Sequence, residues 1–442
     1  MTPSRLAAFR ILLAIAKARG NSDALLHTAQ VTALSAEDRN LTTTLVMGVL
    51  RWQISLDAAL RQYLSRPDAV LPNEAAISLR MGAFQLLFLE RVPVHAAINE
   101  SVELVKHSAA PHTAGLVNAV LRKVAATGRS LPMNVAECAH PDWLLVRWRK
   151  NYGDAAARTI CEYDQAAPPL SVRLADPSAE SQLRADGFEV GSSAFLCNAR
   201  VLSAGRMAES SAFKDGVVRV QDEGSQLVAE LAGTGQEILD CCAAPGGKTA
   251  ILAENNPGAR VLACDANPER LRTMERLLGK NADLQRITYR PMDAEKLPGD
   301  MKKRFDLILC DVPCSGTGTL ARNPEIRHRL SIAGVREQQA RQVAILRSVL
   351  QAVKPGGQLV YSTCSLEPEE NEDVVTHVLG ETADFIQVDV GQRLAELTTR
   401  GRLRPGAAEL LAEKAVRNGA LHLLPGMFGC DGFFAAILER KS

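Results

Sequence analysis

The sequence predicts a multidomain protein: an all-α domain at the N-terminal end, a small α+β module, and a doubly wound α/β domain. Three observations carry that prediction. Apolar residues recur at helical spacing from Pro3 to about Val124, short strand-like runs flank one helix between Pro168 and Val220, and after Ser225 apolar runs alternate regularly with helices. At 442 residues and 46% hydrophobic content, the chain can fill two or three cores.

In the first part, Leu6, Phe9, Leu12, Leu13 and Ala16 share a helical face after Ser4, read as an N-cap. Leu45, Val49 and Trp52 repeat the signal, as do Ile77, Met81, Phe84 and Phe88. Pro93 stops that helix, Val94 to Glu100 opens the next, and Ala114 to Val124 forms the last. Trp143 to Tyr152 is a basic amphipathic segment read as part of a connector. The module follows, with strands Leu170 to Leu174, Phe188 to Val190 and Val217 to Val220, and a helix from Ser178 to Asp186.

In the last part, Ile238 to Cys241, Arg260 to Cys264, Arg286 to Arg290, Phe305 to Cys310 and Gln358 to Tyr361 read as strands. Helices fall at Lys248 to Asn255, Pro268 to Leu278 and Gly334 to Val353. Such βαβ repetition predicts a parallel sheet whose ligand lies beyond the carboxyl ends of the strands. The expected divisions are therefore 1–138 (helical domain), 139–167 (helical connector), 168–225 (α+β module) and 226–442 (doubly wound domain).

Lys+Arg of 51 against Asp+Glu of 50 leaves a net charge of +1, so a nucleic-acid-binding face has to be local. Ten irregularly spaced cysteines in so long a chain do not form a disulfide scaffold, and Met1-Thr2-Pro3-Ser4 does not open a signal peptide. A reducing, cytoplasmic setting is expected. No apolar run reaches the ~18 residues of a membrane span. Cys241 and Cys242 are adjacent, with no second Cys/His pair at ligand spacing, so no structural metal is expected.

The loop after the first strand of the doubly wound part is Asp240-Cys241-Cys242-Ala243-Ala244-Pro245-Gly246-Gly247-Lys248-Thr249. Its two glycines allow close approach of a ligand, and the helix amides behind them attract an anionic group. Gly247-Lys248-Thr249 also ends like a phosphate loop, but Cys242 stands where Gly-x-x-x-x-Gly-Lys-Thr requires its first glycine. Asp265 ends the second strand, as a ribose-hydroxyl acceptor does in nucleoside-binding folds. Asp293 follows the third, placed to accept from an adenine amino group. S-Adenosylmethionine leads as ligand, with NAD second and ATP third.

Cys314 in Asp311-Val312-Pro313-Cys314 and Cys364 in Ser362-Thr363-Cys364-Ser365 follow two further strands. A thiol at such a sheet edge can attack a substrate covalently, and a second can finish the reaction. Burial as inert packing residues is the alternative for any free cysteine; it is accepted for Cys138, Cys161, Cys197 and Cys430, with Cys241, Cys264 and Cys310 read as strand packing.

Asp240 to Thr249, Asp311-Val312-Pro313-Cys314-Ser315-Gly316-Thr317-Gly318 and Tyr361-Ser362-Thr363-Cys364-Ser365 with Glu369-Glu370-Asn371 resemble the RNA cytosine-5 methyltransferases. The resemblance implies that Cys364 adds to cytosine C6, turning C5 into a nucleophile toward the methyl group. It gives Cys314 the release of product, Asp311 the cytosine edge, Lys248 a place near base and cofactor, and Arg270 a place near the cofactor ribose. DNA cytosine-5 methyltransferases attack through a Pro-Cys cysteine and need no second thiol.

Val92 to Glu100 and Gly115 to Arg122 resemble the NusB-type RNA-binding domain of one bacterial branch, the ribosomal RNA small-subunit methyltransferase B type. Leu424-Pro425-Gly426 and Asp431-Gly432-Phe433-Phe434 match it as well. The resemblance implies action on ribosomal RNA, with transfer RNA as the alternative substrate, and a monomer is expected. An RNA-binding assembly factor with little catalysis is the competing reading. Arg122 and Lys123 are candidate phosphate contacts, and Arg322 and Arg327 make a basic loop suited to an RNA strand whose target base is flipped out. Ala175 stands where many relatives carry Asn, Val312 where Ala is commoner, and His328 where some carry Trp.

Overall fold

The computed structural model describes residues 1–127, 136–205, 207, 210–279, 281 and 284–442. The chain divides into two compact units, Met1–Ala167 with Leu320–Arg329, and Pro168–Thr319 with Leu330–Ser442.

The first unit is helical. Its opening helix spans Pro3–Ala16 with Thr2 in the cap conformation, so Ser4 is not the N-cap the sequence suggests. Pro3 explains the shift, because its fixed φ and missing N–H suit the first helical position. The long helix Ala36–Arg61 starts on Ser35, whose Oγ accepts the Asp38 N–H at 3.1 Å. It packs with Asn73–Phe88, Val94–Lys106 and Ala114–Ala126 around Leu45, Val49, Met81, Phe84, Val117 and Leu121. Asp142–Tyr152 and Asp154–Gln165 add two helices on either side of Gly153.

Leu320–Arg329 belongs to this unit, and the reason lies in its polar side chains. Arg327 is 1% exposed and donates to the carbonyls of Arg51, Ala139 and Asp164 at 3.2, 3.1 and 3.4 Å. Burial pulls its guanidinium down to about 10. A group so enclosed is not available to an RNA strand, and the expectation for Arg327 is corrected accordingly. Glu325 accepts the Ser22 N–H and hydroxyl at 2.8 and 2.9 Å, and His328 Nε2 lies 2.8 Å from the Leu50 carbonyl. Arg322 is half-buried, whereas Arg122 and Lys123 are exposed on their helix.

The second unit holds two sheets. The smaller comprises β1 (Leu170–Leu174), β2 (Glu189–Ser192), β3 (Ala199–Ser203) and β4 (Val218–Val220), in order β2-β3-β1-β4 and antiparallel throughout. Val172, Leu174, Leu183, Phe188 and Leu202 fill its core. Arg173 is buried against Glu230 at 2.7 Å, and Arg219 pairs with Glu254 at 2.6 Å. These ion pairs tie the small sheet to the helices Glu223–Leu231 and Gly247–Asn255 of the doubly wound part.

The larger sheet comprises β5 (Glu237–Asp240), β6 (Arg260–Asp265), β7 (Ile287–Pro291), β8 (Phe305–Asp311), β9 (Val353–Thr363), β10 (Phe385–Val388), β11 (Val416–Arg417), β12 (Ala420–Leu423) and β13 (Phe433–Arg440). The order is β11-β12-β13-β9-β8-β5-β6-β7, with β10 paired to β13. β5 to β9 are mutually parallel, as the βαβ pattern predicts. β13 is antiparallel beside β9, so the sheet is mixed rather than wholly parallel. The helix Ile332–Leu350 ends before Val353, which opens β9 instead of closing the helix. Because β5 lies between β6 and β8, chain order reverses there, and a cleft forms beyond the strand ends.

Candidate active site

The loop after β5 is shaped by its backbone. Gly246 has φ of 109°, and a Cβ there would meet Met274 Cγ at 2.7 Å, so conformation and space both require glycine. The Ala244 N–H donates to Asp265 Oδ2 at 3.2 Å, and Arg270 Nη2 donates to the Ala244 carbonyl at 2.6 Å. The residue that ends β6 thus braces the loop that follows β5, with Arg270 as the clamp.

A cavity of about 430 Å³ opens beside this loop. Asp265, Asp293, Asp311, Cys314 and Cys364 line it, together with Cys242, Ala244 and Arg270. A second cavity, of about 360 Å³, is lined by the loop from Cys242 to Lys248, by Asp240 and Asp311, and by Val218 to Gln221 of the small module. Cys242, Ala244 and Asp311 belong to both. Every catalytic and cofactor residue expected from sequence lines one of these cavities, and they meet at Asp311.

Strand register brings the thiols together. Asp311 on β8 lies opposite Ser362 on β9, so Cys314 and Cys364 leave neighbouring strand ends only residues later. Their sulfurs approach to 3.3 Å as free thiols. Gly318, four residues after Cys314, brings the Cys314 loop against that of Cys364: its N–H donates to the Cys364 carbonyl at 2.8 Å, and a Cβ there would meet the Gly432 carbonyl at 2.4 Å. The neighbouring Cys364 sulfur, burial and nearby carboxylates all push the Cys314 thiol up, well above the ordinary value. Cys241, Cys264 and Cys310 are buried in the sheet core, whereas Cys138 is exposed rather than packed.

Asp311 is fixed from two sides. Lys248 Nζ lies 2.7 Å from Oδ2, and the Ser362 hydroxyl donates to Oδ1 at 2.7 Å. Burial alone would lower the Lys248 ammonium, but Asp311, Cys364 and Asp240 outweigh it and hold the ammonium above its ordinary value. The same ammonium lies 5.3 Å from the centre of the Phe433 ring, a cation–π contact. Ser362 and Phe433 fall within motifs visible in the sequence, yet their partners become evident only through strand pairing. Among the described residues no group of three His, Cys, Asp or Glu is arranged to hold a metal.

A doubly wound sheet with a glycine loop after β5, acids after β6 and β7, and paired thiols after β8 and β9 defines a methyltransferase. Family models agree: 16S rRNA methyltransferase RsmB/F matches residues 230–439, the NusB family 2–126, and the ferredoxin-like domain of RsmF/B-like methyltransferases 140–202. The chain is 33% identical over 427 residues to the probable ribosomal RNA small subunit methyltransferase B of Bacillus subtilis, covering 92% of each. It is 31% identical over 448 residues to the ribosomal RNA small subunit methyltransferase B of Xanthomonas campestris, covering 99% of this chain and 97% of that one. The crystal structure of PH0851 shares the fold, with a TM-score of 0.80 at 22% identity over 100% of this chain and 99% of that chain. The chain belongs to the ribosomal RNA small subunit methyltransferase B family.

Proposed function

We propose that the protein methylates C5 of a cytosine in RNA, with 16S ribosomal RNA as the substrate and S-adenosylmethionine as the methyl donor. The observation that carries this reading is the 3.3 Å pair of thiols in a cavity that also holds Asp265, Asp293 and Asp311. An oxygen-methylating or nitrogen-methylating site has no use for two thiols at one strand edge.

The residues fit the cofactor. Asp265 would take the ribose hydroxyls, Asp293 the adenine edge, and the amides at Gly246 and Gly247 the carboxylate, with Arg270 bracing the loop. Bound there, S-adenosylmethionine supplies an electrophilic methyl group. Cytosine C5 is too poor a nucleophile to take it unaided. Cys364 corrects this by giving up its thiol proton to solvent and adding to C6 as the thiolate, which moves the C5–C6 π electrons into the ring and makes C5 enamine-like. Asp311, held rigid by Lys248 and Ser362, binds the cytosine edge, and the Lys248 ammonium offsets the negative charge that thiolate addition introduces. After methylation the C5 proton passes to a base, the C6–S bond breaks with its electron pair returning to Cys364 as thiolate, and Cys314 assists that release of product.

The roles separate in mutants. Cys364→Ala is expected to abolish both methyl transfer to 16S rRNA and the covalent protein–RNA complex. Cys314→Ala is expected to accumulate the complex and slow turnover by about 10²-fold or more. Tritiated methyl incorporation and denaturing gels read the two effects; turnover by Cys364→Ala would end the assignment. Bisulfite sequencing of ribosomal and transfer RNA from cells lacking the protein separates the two substrates, with the lost site expected in 16S rRNA.

A further inference from the structure

Glu370 is a fully buried carboxylate that no step above employs, and it stands behind the two thiol loops. Its Oε1 accepts the Ser315 N–H at 2.8 Å and the Gln342 side-chain amide at 3.0 Å. Its Oε2 accepts the Ser365 hydroxyl at 2.5 Å and also the Ser315 hydroxyl. Ser315 follows Cys314 and Ser365 follows Cys364, so a single carboxylate grips the residue after each thiol. A carboxylate offers about four lone-pair sites, and four donors occupy this one. Hydrogen bonds to such a group are stronger than neutral ones, which makes the grip stiff.

The surrounding contacts extend this frame. Gln342 Nε2 also donates to the carbonyl of Pro313, the residue before Cys314, at 3.0 Å. Asn371, next to Glu370, accepts the Thr363 hydroxyl at 2.5 Å and donates to the Ser365 carbonyl at 2.9 Å, thereby holding both neighbours of Cys364. The Tyr361 hydroxyl donates to the Glu370 carbonyl at 2.6 Å and anchors the corner to β9.

We infer that Glu370 is a positioning residue that locks the Cys314 and Cys364 loops to one another and so sets the approach of their sulfurs. Glu370 does not line the reaction cavity and acts only through Ser315 and Ser365. Two thiols that must serve the same base in succession need a fixed separation, and displacement by about 1 Å costs on the order of 10²-fold in rate. The inference rests on the two-thiol reading of the reaction, but the thiol geometry can be measured without RNA.

Diamide joins two adjacent thiols as a disulfide, taking up their two protons and two electrons. In the full-length protein, Glu370→Gln is expected to slow disulfide formation between Cys314 and Cys364 by roughly tenfold. It should lower kcat by about 10²-fold while KM for RNA stays within about twofold. Ser365→Ala removes one of the grips and should move both readouts in the same direction by less; it carries the test if Glu370→Gln does not fold. Unchanged crosslinking and kcat would overturn the inference. So would a loss of activity that follows unfolding alone, with crosslinking in the folded fraction as fast as in the wild type. If the wild type transfers no methyl group to RNA, the reaction reading fails, and the crosslinking rates still decide for or against Glu370.

Discussion

Asp240 combines two constraints at the single-residue scale. Its Oδ2 accepts the Thr249 hydroxyl at 2.6 Å, which ties the end of β5 to the first turn of the following helix. Burial pushes its carboxyl up to about 7, with the Thr249 hydroxyl pulling the other way and Asp311 adding to the rise. Between the ordinary value of 3.8 and about 7, the folded protein holds a proton that the unfolded chain has released. The associated stability is fully present below the ordinary value and is lost as the pH rises through about 7. Asp240→Asn carries no such proton and should flatten this dependence. The unfolding free energy of the doubly wound unit, from denaturant titrations between about pH 5 and about pH 8, should fall in the wild type by on the order of 2 kcal/mol more than in the variant. Equal slopes would show that Asp240 is not the group responsible. The aspartate was visible in the sequence as part of a motif, but its altered acidity was not, because burial depends on what the sheet packs around it.

At the scale of elements, the informative segment is Leu320–Arg329. Arg322 and Arg327 made it look like a surface loop for RNA, since local sequence reports charge and not enclosure. In the fold it is part of the helical unit, and Arg327 is the donor that several backbone carbonyls share. Arg327→Ala is expected to destabilise that unit by about 3 kcal/mol, because buried carbonyls lose their donor and a cavity remains. Denaturant unfolding followed by hydrogen exchange in residues 1–127 measures the loss. An unaltered unit with weakened RNA binding would instead restore Arg327 to the RNA face. Similar reasoning explains β13. Its run of apolar residues has no helix before it to mark a βαβ unit, so its antiparallel place beside β9 follows from tertiary pairing rather than periodicity.

Across the whole molecule, the legible features were those that repeat locally: helical spacing in the first unit, strand–helix alternation in the second, and motifs at strand ends. The loop from Cys242 to Lys248, the acids Asp265, Asp293 and Asp311, and both thiols were readable because each motif lies in one short stretch of chain. What joins them was not readable. The 3.3 Å approach of the sulfurs depends on β8–β9 register, and the grip on Ser315 and Ser365 depends on a corner that brings Glu370 behind both. Net charge was equally uninformative, because a balance of +1 conceals where the basic residues lie. The central claim is that the thiols are unequal, with Cys364 forming the bond to the base. Replacing C5 hydrogen with fluorine blocks elimination, so 16S rRNA containing 5-fluorocytosine should trap the adduct. Nuclease and protease digestion followed by mass spectrometry should then find the methylated fluoronucleotide on the peptide bearing Cys364, whereas an adduct on Cys314, or none on either cysteine, would contradict the account.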